Sequence, residues 1–277
     1  MEKMDLYDAI FKRKSIRKFE AVPLDAGTLA KVSSFLGTVK PMYPEIKTEL
    51  KLLSNMEVKA GLMKAKSPHF VAAFSEKKEN SLVNAGFMLQ QVDLFLSANG
   101  IGSVWQGNPK PSSEASSGTD LEFVIMMAFG KPAEPLHRTD VSEFKREPLT
   151  EVGKTKGFEE ILEPARLAPS AMNLQPWYFV GGEGAVHFYL VNSAMFDKWN
   201  KVSVGAAICH AWLAANHLGK SVEFVGDEKA SEDATKKRTY VATMRIGTKP
   251  TQIINAPESD VSYSFEVQVD NSAVRSP

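Results

Sequence analysis

Two short stretches of this 277-residue chain carry side chains in arrangements suited to a charged, planar ligand. In Arg13-Lys14-Ser15-Ile16-Arg17-Lys18-Phe19, the residues Arg13, Ser15 and Arg17 alternate. An extended backbone therefore projects two guanidiniums and a hydroxyl to one side, a set that suits a phosphate. A solvated basic stretch, or a nuclear-localisation-like run, has the same composition. In Ala168-Pro169-Ser170-Ala171-Met172-Asn173-Leu174-Gln175-Pro176-Trp177, two prolines fix an irregular loop and small residues let backbone approach closely. Ser170, Asn173 and Gln175 then present donors and acceptors in a row, which can read the edge of a planar heterocycle. The plain alternative is a helix-to-strand turn, which needs fewer side-chain amides.

Several elements must position these stretches. Asp5 and Asp8 open a short helix, with Leu6, Tyr7, Ile10 and Phe11 on one face, expected to end near Lys14. From Thr28 to Lys66 the pattern is helical but broken by Pro41 and Pro44. His69–Phe74 reads as a strand. Asn84–Asn99 is apolar nearly all round and stops at Gly100, as a buried helix does. Phe123–Phe129 is a continuous apolar run, expected of a strand covered on both faces. Residues 131–157, rich in charge, Pro and Gly, read as a connector. Beyond it come a helix over Phe158–Leu167, strands at 177–180 and 186–191, a second apolar helix over 204–219 and a closing strand at 240–247. A further alternating segment, Val261, Tyr263, Phe265, Val267 and Val269, reads as a half-buried strand.

The element order thus returns, and so do the glycines. Gly86, Gly100 and Gly107 each meet a glycine at Gly205, Gly219 and Gly226, a constant shift of 119 (205 − 86). At nearly the same shift, His69-Phe70 meets His187-Phe188 (187 − 69 = 118) and Gly130 meets Gly247 (247 − 130 = 117). Repetition at a shift of 117 to 119 with matching element order points to an internal duplication, the two copies packed through their apolar helices.

With 43% hydrophobic and 24% charged residues, the composition is that of a globular protein. The 33 basic residues balance 33 acidic ones, so no global field draws the chain to nucleic acid or anionic membrane. The single cysteine, Cys209, forms no intrachain disulfide. No apolar stretch is long enough for a membrane span, and the N-terminus lacks a secretory h-region, so a soluble cytoplasmic protein is the expectation. His69, His137, His187, His210 and His217 show no metal spacing, and His210 and His217, seven apart on a buried helix, read as satisfied core or interface groups. Arg245, inside an apolar strand, needs a partner; it could pair with a carboxylate or line a second, decayed site, and the sequence does not choose.

RKSIRKF together with LAPSAMNLQPW resembles the flavin-dependent nitroreductase family, and NAGFMLQQVDLFLSANGIGSVWQGN resembles that family's central helix and the loop passing the flavin. More narrowly, the chain is similar to the fused, pseudo-dimeric branch known as Putative TM nitroreductases. The resemblance implies an α+β nitroreductase-like fold in two tandem degenerate copies, residues 1–150 and 151–277, packed as an intrachain pseudo-dimer that needs no second chain. It implies FMN as cofactor, NAD(P)H as donor and a small-molecule acceptor. It puts Arg13, Ser15 and Arg17 on the FMN phosphate, with Lys145 and Arg146 as second partners and Arg138 as their rival. Pro169, Ser170, Ala171, Asn173 and Gln175 fall along the ring, and the backbone of Gly107 and Asn108 near flavin N5. No side-chain acid or base is required, because the hydride chemistry belongs to the flavin.

The motifs depart from a symmetric dimer. The first half has the basic segment, but its SSFLGTVKPMYPEI lacks the amides of the ring loop; the second half has the loop, but EVGKTKGFEEI stands where a basic segment is expected. The losses are complementary, so one site per chain is expected, with GKSVEFVG in place of GIGSVWQGN marking decay of the other. The leading function is an FMN-dependent NAD(P)H oxidoreductase acting on nitroaromatics, quinones or similar flat acceptors. A specialised relative, such as a dehalogenase or flavin-cleaving enzyme, and a flavin-binding module without turnover are the alternatives.

Overall fold

The computed structural model describes residues 4–59, 64–193, 195–232, 234–235 and 237–248. The alternating segment expected at 261–269 lies outside them. The chain opens with a one-turn helix α1 (Leu6–Ile10), capped by the Asp5 carboxylate accepting from the Asp8 N–H at 2.8 Å. It ends four residues before Lys14, and the chain then runs extended, as the Arg-Ser-Arg alternation requires. Helix α2 (Ala26–Leu36) follows, capped by Asp25. What the broken helical pattern of 28–66 concealed is a strand, β1 (Thr48–Ser54). Its side chains are only partly buried, which blurs the alternation that marks a strand.

The first sheet joins β1, β2 (His69–Ser75), β4 (Glu122–Gly130) and β3 (Gly102–Gln106), in that order and antiparallel throughout. After a short helix, α4 (Ser113–Ser116), and the connector, β5 (Gly153–Lys154) lies parallel to the edge of a second sheet. That sheet runs β5, β6 (Trp177–Gly182), β7 (Ala185–Val191), β9 (Arg238–Thr248) and β8 (Lys220–Val225). Leaving β5 aside, the order β1-β2-β4-β3 repeats as β6-β7-β9-β8. Helix α5 (Glu159–Arg166) precedes β6, and α7 (Glu228–Glu232) lies between β8 and β9.

Between the sheets lie two long helices, α3 (Ser81–Ala98) and α6 (Asp197–His217). Both are buried almost all round, which explains the lack of a polar stripe in either sequence. Their backbones touch where glycines permit it. A Cβ on Gly86 would overlap the carbonyl of Val202, and one on Gly205 the carbonyl of Val83. The crossing divides the interior. One core gathers Phe179, Phe188 and Met244 with Phe87 of α3; the other gathers Val71, Met127 and Phe129 with Val202 of α6.

Candidate functional site

The alternation of Arg13, Ser15 and Arg17 becomes geometry because the segment is pinned along the outer edge of β3. Ser15 bridges Ser103 in parallel, and the Ile16 N–H donates to the Ser103 carbonyl at 2.8 Å. Ile16 is fully buried against Gly102, where a Cβ would stand 2.9 Å from its Cγ2. With Ile16 turned inward, Ser15 and Arg17 line a cavity of about 490 Å³, within the usual range of small-molecule sites.

The cavity's other walls come from three places. The strand β3 and the turn after it supply Trp105 through Pro109, including Gly107 and Asn108; the loop after α5 supplies Pro169 through Met172. Helix α6 supplies Trp199, Val202, Ser203 and Ala206, one helical face, with Phe196 just before it. Ser203 anchors the loop: its Oγ accepts from the Ala171 N–H at 3.2 Å while donating to the Trp199 carbonyl at 2.7 Å. The Ser170 Oγ accepts from the Gln175 N–H at 3.0 Å. Met172, Asn173 and Gln175 all take positive φ (52°, 59° and 50°), a conformation that side chains other than glycine adopt at a cost.

That cost is offset by ties to the connector. The Arg146 guanidinium donates to the carbonyls of Ala168 (3.0 Å) and Phe144 (2.7 Å) and to Asn173 Oδ1. Asn173 Nδ2 donates to the Lys145 carbonyl at 3.1 Å, and Gln175 Oε1 accepts from the Glu147 N–H at 2.8 Å. The amides of Asn173 and Gln175 therefore shape the loop, and neither residue is among those lining the cavity. Lys145 is exposed at the end of a single helical turn, and it too stands outside the lining.

Arg13 also lies behind the wall. It is 2% exposed, its Nε 3.0 Å from Asp93 Oδ2, and its Nη2 donates to Ser15 Oγ at 3.3 Å. Asp93, fully buried on α3, accepts from Ser103 Oγ at 2.5 Å and from Gln90 Nε2 at 3.4 Å. Gln90 Nε2 in turn meets His210 Nε2 at 2.9 Å, and His210 Nδ1 meets the Pro164 carbonyl at 2.9 Å. With Nδ1 donating to that carbonyl, Nε2 is the acceptor and the ring is neutral, so His210 is the satisfied core group expected, whereas His217, at the end of α6, is exposed with its ring stacked on Tyr7 at 3.9 Å. This chain of contacts ties the basic segment to α5, which leads into the loop at 168–176.

Arg138 donates to the Arg13 carbonyl and stacks over Phe144 at 4.0 Å. Burial first, then the Arg13 charge, pulls its pKa down to about 10; burial with Arg13 and Arg138 pulls that of Arg146 down to about 9. The three guanidiniums repel one another, Asp93 and Glu143 offset part of that charge, and an anion would relieve the rest. Asp93 was missed by the sequence reading, although it is the single acid in the apolar run Asn84–Asn99. Trp199 and Ser203 carried no visible signal beyond their helical spacing.

EVGKTKGFEEI occupies a different place from RKSIRKF. Its Gly153 and Lys154 pair with Phe179 and Val180 of β6, and among the described residues no segment pairs with the outer edge of β8. Arg245 finds its partner in Glu223, 4.0 Å away on the outer face of the second sheet. Among the described residues no helix is long and apolar enough to cross a membrane, and no group of three or more His, Cys, Asp or Glu could hold a metal ion.

Comparison with known proteins adds a family. A family model described as Putative TM nitroreductase matches residues 5–215. The chain is similar to the crystal structure of a putative nitroreductase from Thermotoga maritima, at 24% identity and a TM-score of 0.61, covering 90% of this chain and 96% of that one. It is also similar to a nitroreductase family protein of Clostridium difficile (18% identity, TM-score 0.43, 54% of this chain and 96% of that one). A third, an FMN-dependent nitroreductase of Clostridium difficile, shares 15% identity with a TM-score of 0.39, over 49% of this chain and 92% of that one. No curated protein matches.

Proposed function

The chain belongs to the Putative TM nitroreductase family, and from that premise we propose that it is an FMN-dependent oxidoreductase carrying electrons from NAD(P)H to a flat acceptor such as a nitroaromatic or a quinone. The observation that carries the reading is one cavity lined by both sequence motifs, Ser15 and Arg17 with Pro169, Ser170 and Ala171, and flanked by a cluster of guanidiniums. Arg13, Arg138 and Arg146, offset in part by Asp93 and Glu143, leave positive charge that suits a phosphate monoester of charge about −1.5 to −2. FMN, when bound, supplies the hydride chemistry of its ring system.

The chain's own residues then divide the work. Ser15 and Arg17 receive the phosphate, while Arg13, held by Asp93, orients Ser15 from behind and adds its charge. Pro169, Ser170 and Ala171 bring backbone along the ring, and Gly107 and Asn108 bring backbone to its edge. Arg146, Lys145, Asn173 and Gln175 hold the loop in its positive-φ conformation and so act on the ring through Pro169–Ala171. We read the whole as two tandem copies, 1–150 and 151–277, forming an intrachain pseudo-dimer. The repeated strand order, the reciprocal glycine contacts and the 119-residue shift support this.

The test is flavin content followed by reduction. Protein saturated with FMN should release one flavin per chain on acid treatment, and its yellow colour should bleach anaerobically with NADH or NADPH. Flavin that stays oxidised under both donors would reduce the protein to a binding module, and two flavins per chain would end the one-site reading.

A further inference from the structure

The first turns of α6 give the cavity a wall unlike the polar side occupied by Ser15 and Arg17. Phe196, Trp199 and Val202 face it at helical spacing, and Met172 closes over it from the loop, 80% exposed despite being apolar. The Trp199 indole rests on the backbone of Gly107, where a Cβ would stand 3.2 Å from the ring. Glycine there allows a flat aromatic surface to meet the turn after β3. Such a wall accepts another flat ring by stacking.

Charge sits beside this aromatic surface. The Lys198 ammonium lies 4.8 Å from the centre of the Trp199 ring, and among the described residues it forms no ion pair. Lys110 directly follows Pro109, a lining residue. Burial first, then the Lys110 charge, lowers the pKa of Lys198, with Glu122 opposing them. Lys198 and Lys110 are both exposed and stand just outside the lining. Two ammoniums that repel each other, with one carboxylate opposing them, are held in a state that an incoming anion stabilises.

We infer that the acceptor of this site is a planar aromatic compound carrying an anionic substituent, a carboxylate or sulfonate, with its ring against Trp199 and its charge at Lys198 and Lys110. This rests on the flavin reading above. Over the full cycle, NAD(P)H, one proton and a quinone give NAD(P)⁺ and the quinol, so both electrons come from the donor and nothing else is consumed. NAD(P)H is itself a ring bearing anionic groups, and the test must separate it from the acceptor.

Photoreduced, FMN-loaded protein is mixed with 1,4-naphthoquinone or its 2-sulfonate in a stopped-flow instrument, so that no donor is present. Lys198→Gln should slow reoxidation by the sulfonate about tenfold and by the neutral quinone less than twofold. Taking variant over wild type for each quinone cancels their different potentials. Equal slowing of both quinones, or slowing confined to reduction by NAD(P)H, overturns the inference; the second result assigns the cations to the donor. Calorimetry supplies a readout that needs no turnover. Naphthalene-2-sulfonate should bind about tenfold more weakly to Lys198→Gln and to Trp199→Ala, whereas neutral 2-naphthol should weaken only with Trp199→Ala. Unchanged sulfonate binding in both variants overturns the inference even in protein that carries flavin. A protein that takes up no flavin fails the functional reading instead, and the calorimetric result stands apart from it.

Discussion

The loop at 168–176 and the loop at 37–47 start alike and end differently. Each leaves a helix, docks on a long central helix and enters the first strand of the repeated set. Ser203 on α6 accepts from the Ala171 N–H at 3.2 Å. At the same place on α3, 119 residues earlier (203 − 84), Asn84 Oδ1 accepts from the N–H groups of Met42 and Tyr43 at 2.9 and 3.0 Å. Beyond that shared anchor, the first loop borders an open cavity. The second turns Met42 and Tyr43 into the core beside Phe87 and Phe224, and the Tyr43 hydroxyl reaches the Val241 carbonyl at 3.4 Å. Burial pushes the Tyr43 phenol well above its ordinary pKa, as expected of a plug. Two similar loop paths thus border an open cavity or a sealed seam, according to which side chains point between loop and sheet.

The sharpest way to test this difference is at Asp93, whose counterpart 119 residues later is Trp212. One region keeps a buried ion pair where the other keeps an aromatic contact, Trp212 with Phe87 at 5.3 Å. Asp93→Ala leaves the Arg13 guanidinium buried without its carboxylate, a loss of about 3–5 kcal/mol of folding stability. Urea unfolding reads it directly. A loss below 1 kcal/mol would mean that solvent or Ser103 alone suffices, and the basic segment would have no special tie to α3.

Where the regions agree, substitutions should act equally. Gly86→Ala and Gly205→Ala each place a methyl on a facing carbonyl that cannot move without shifting a helix. Each should cost about 3 kcal/mol, the upper part of the range for overpacking, and the two melting temperatures should fall together. If one variant melted like the wild type, the helix crossing would not be the symmetric feature that the strand order suggests.

Arg17 should show the opposite, an effect confined to one region and one ligand. Arg17→Ala should weaken FMN by roughly 1.5–3 kcal/mol, the scale of a charge-assisted hydrogen bond. Riboflavin, which has no phosphate, should lose far less, as fluorescence titration of both flavins can measure. Equal losses would move Arg17 out of the phosphate site and into the fold.

How much of this was legible in the chain follows from the same comparison. The long helices, the apolar strands and the 119-residue shift could be read because burial on all sides leaves continuous apolar runs and because close backbone contact demands glycine. β1 could not, since its half-buried side chains lose the period of two. The lining role of Ser15 and Arg17 followed from alternation, but Arg13 did not. Its partner is 80 residues away on another helix (93 − 13), and nothing local says which of two guanidiniums turns inward. Asn173 and Gln175 look like ring-reading amides because residue type shows donors and acceptors without their direction. In the fold they face the connector, whose Arg146 and Glu147 complete them.

The smallest effect at neutral pH concerns position 91 and its counterpart, 210. Gln91 holds the backbone of Lys40 through both ends of its amide, at 3.0 Å from the N–H and 2.7 Å to the carbonyl, while His210 holds the Pro164 carbonyl. The two side chains do similar work, but only histidine titrates. Complete burial, with the charges of Arg13 and Arg146, lowers the His210 pKa to about 3 from an ordinary 6.5, against the Pro164 bond, which raises it. Between those values the unfolded chain takes up a proton that the folded chain refuses. This contribution is whole above pH 6.5 and is lost as the pH falls towards 3, with a slope of up to about 1.4 kcal/mol per pH unit. His210→Gln should leave stability at pH 7 within about 1 kcal/mol of wild type, since an amide can still donate to the Pro164 carbonyl. It should also flatten the decline between pH 6.5 and 4 by one proton's worth. Parallel stability curves for the two proteins across that range would show that His210 carries its proton in the fold, and the buried link from Asp93 through Gln90 would then need a charged ring.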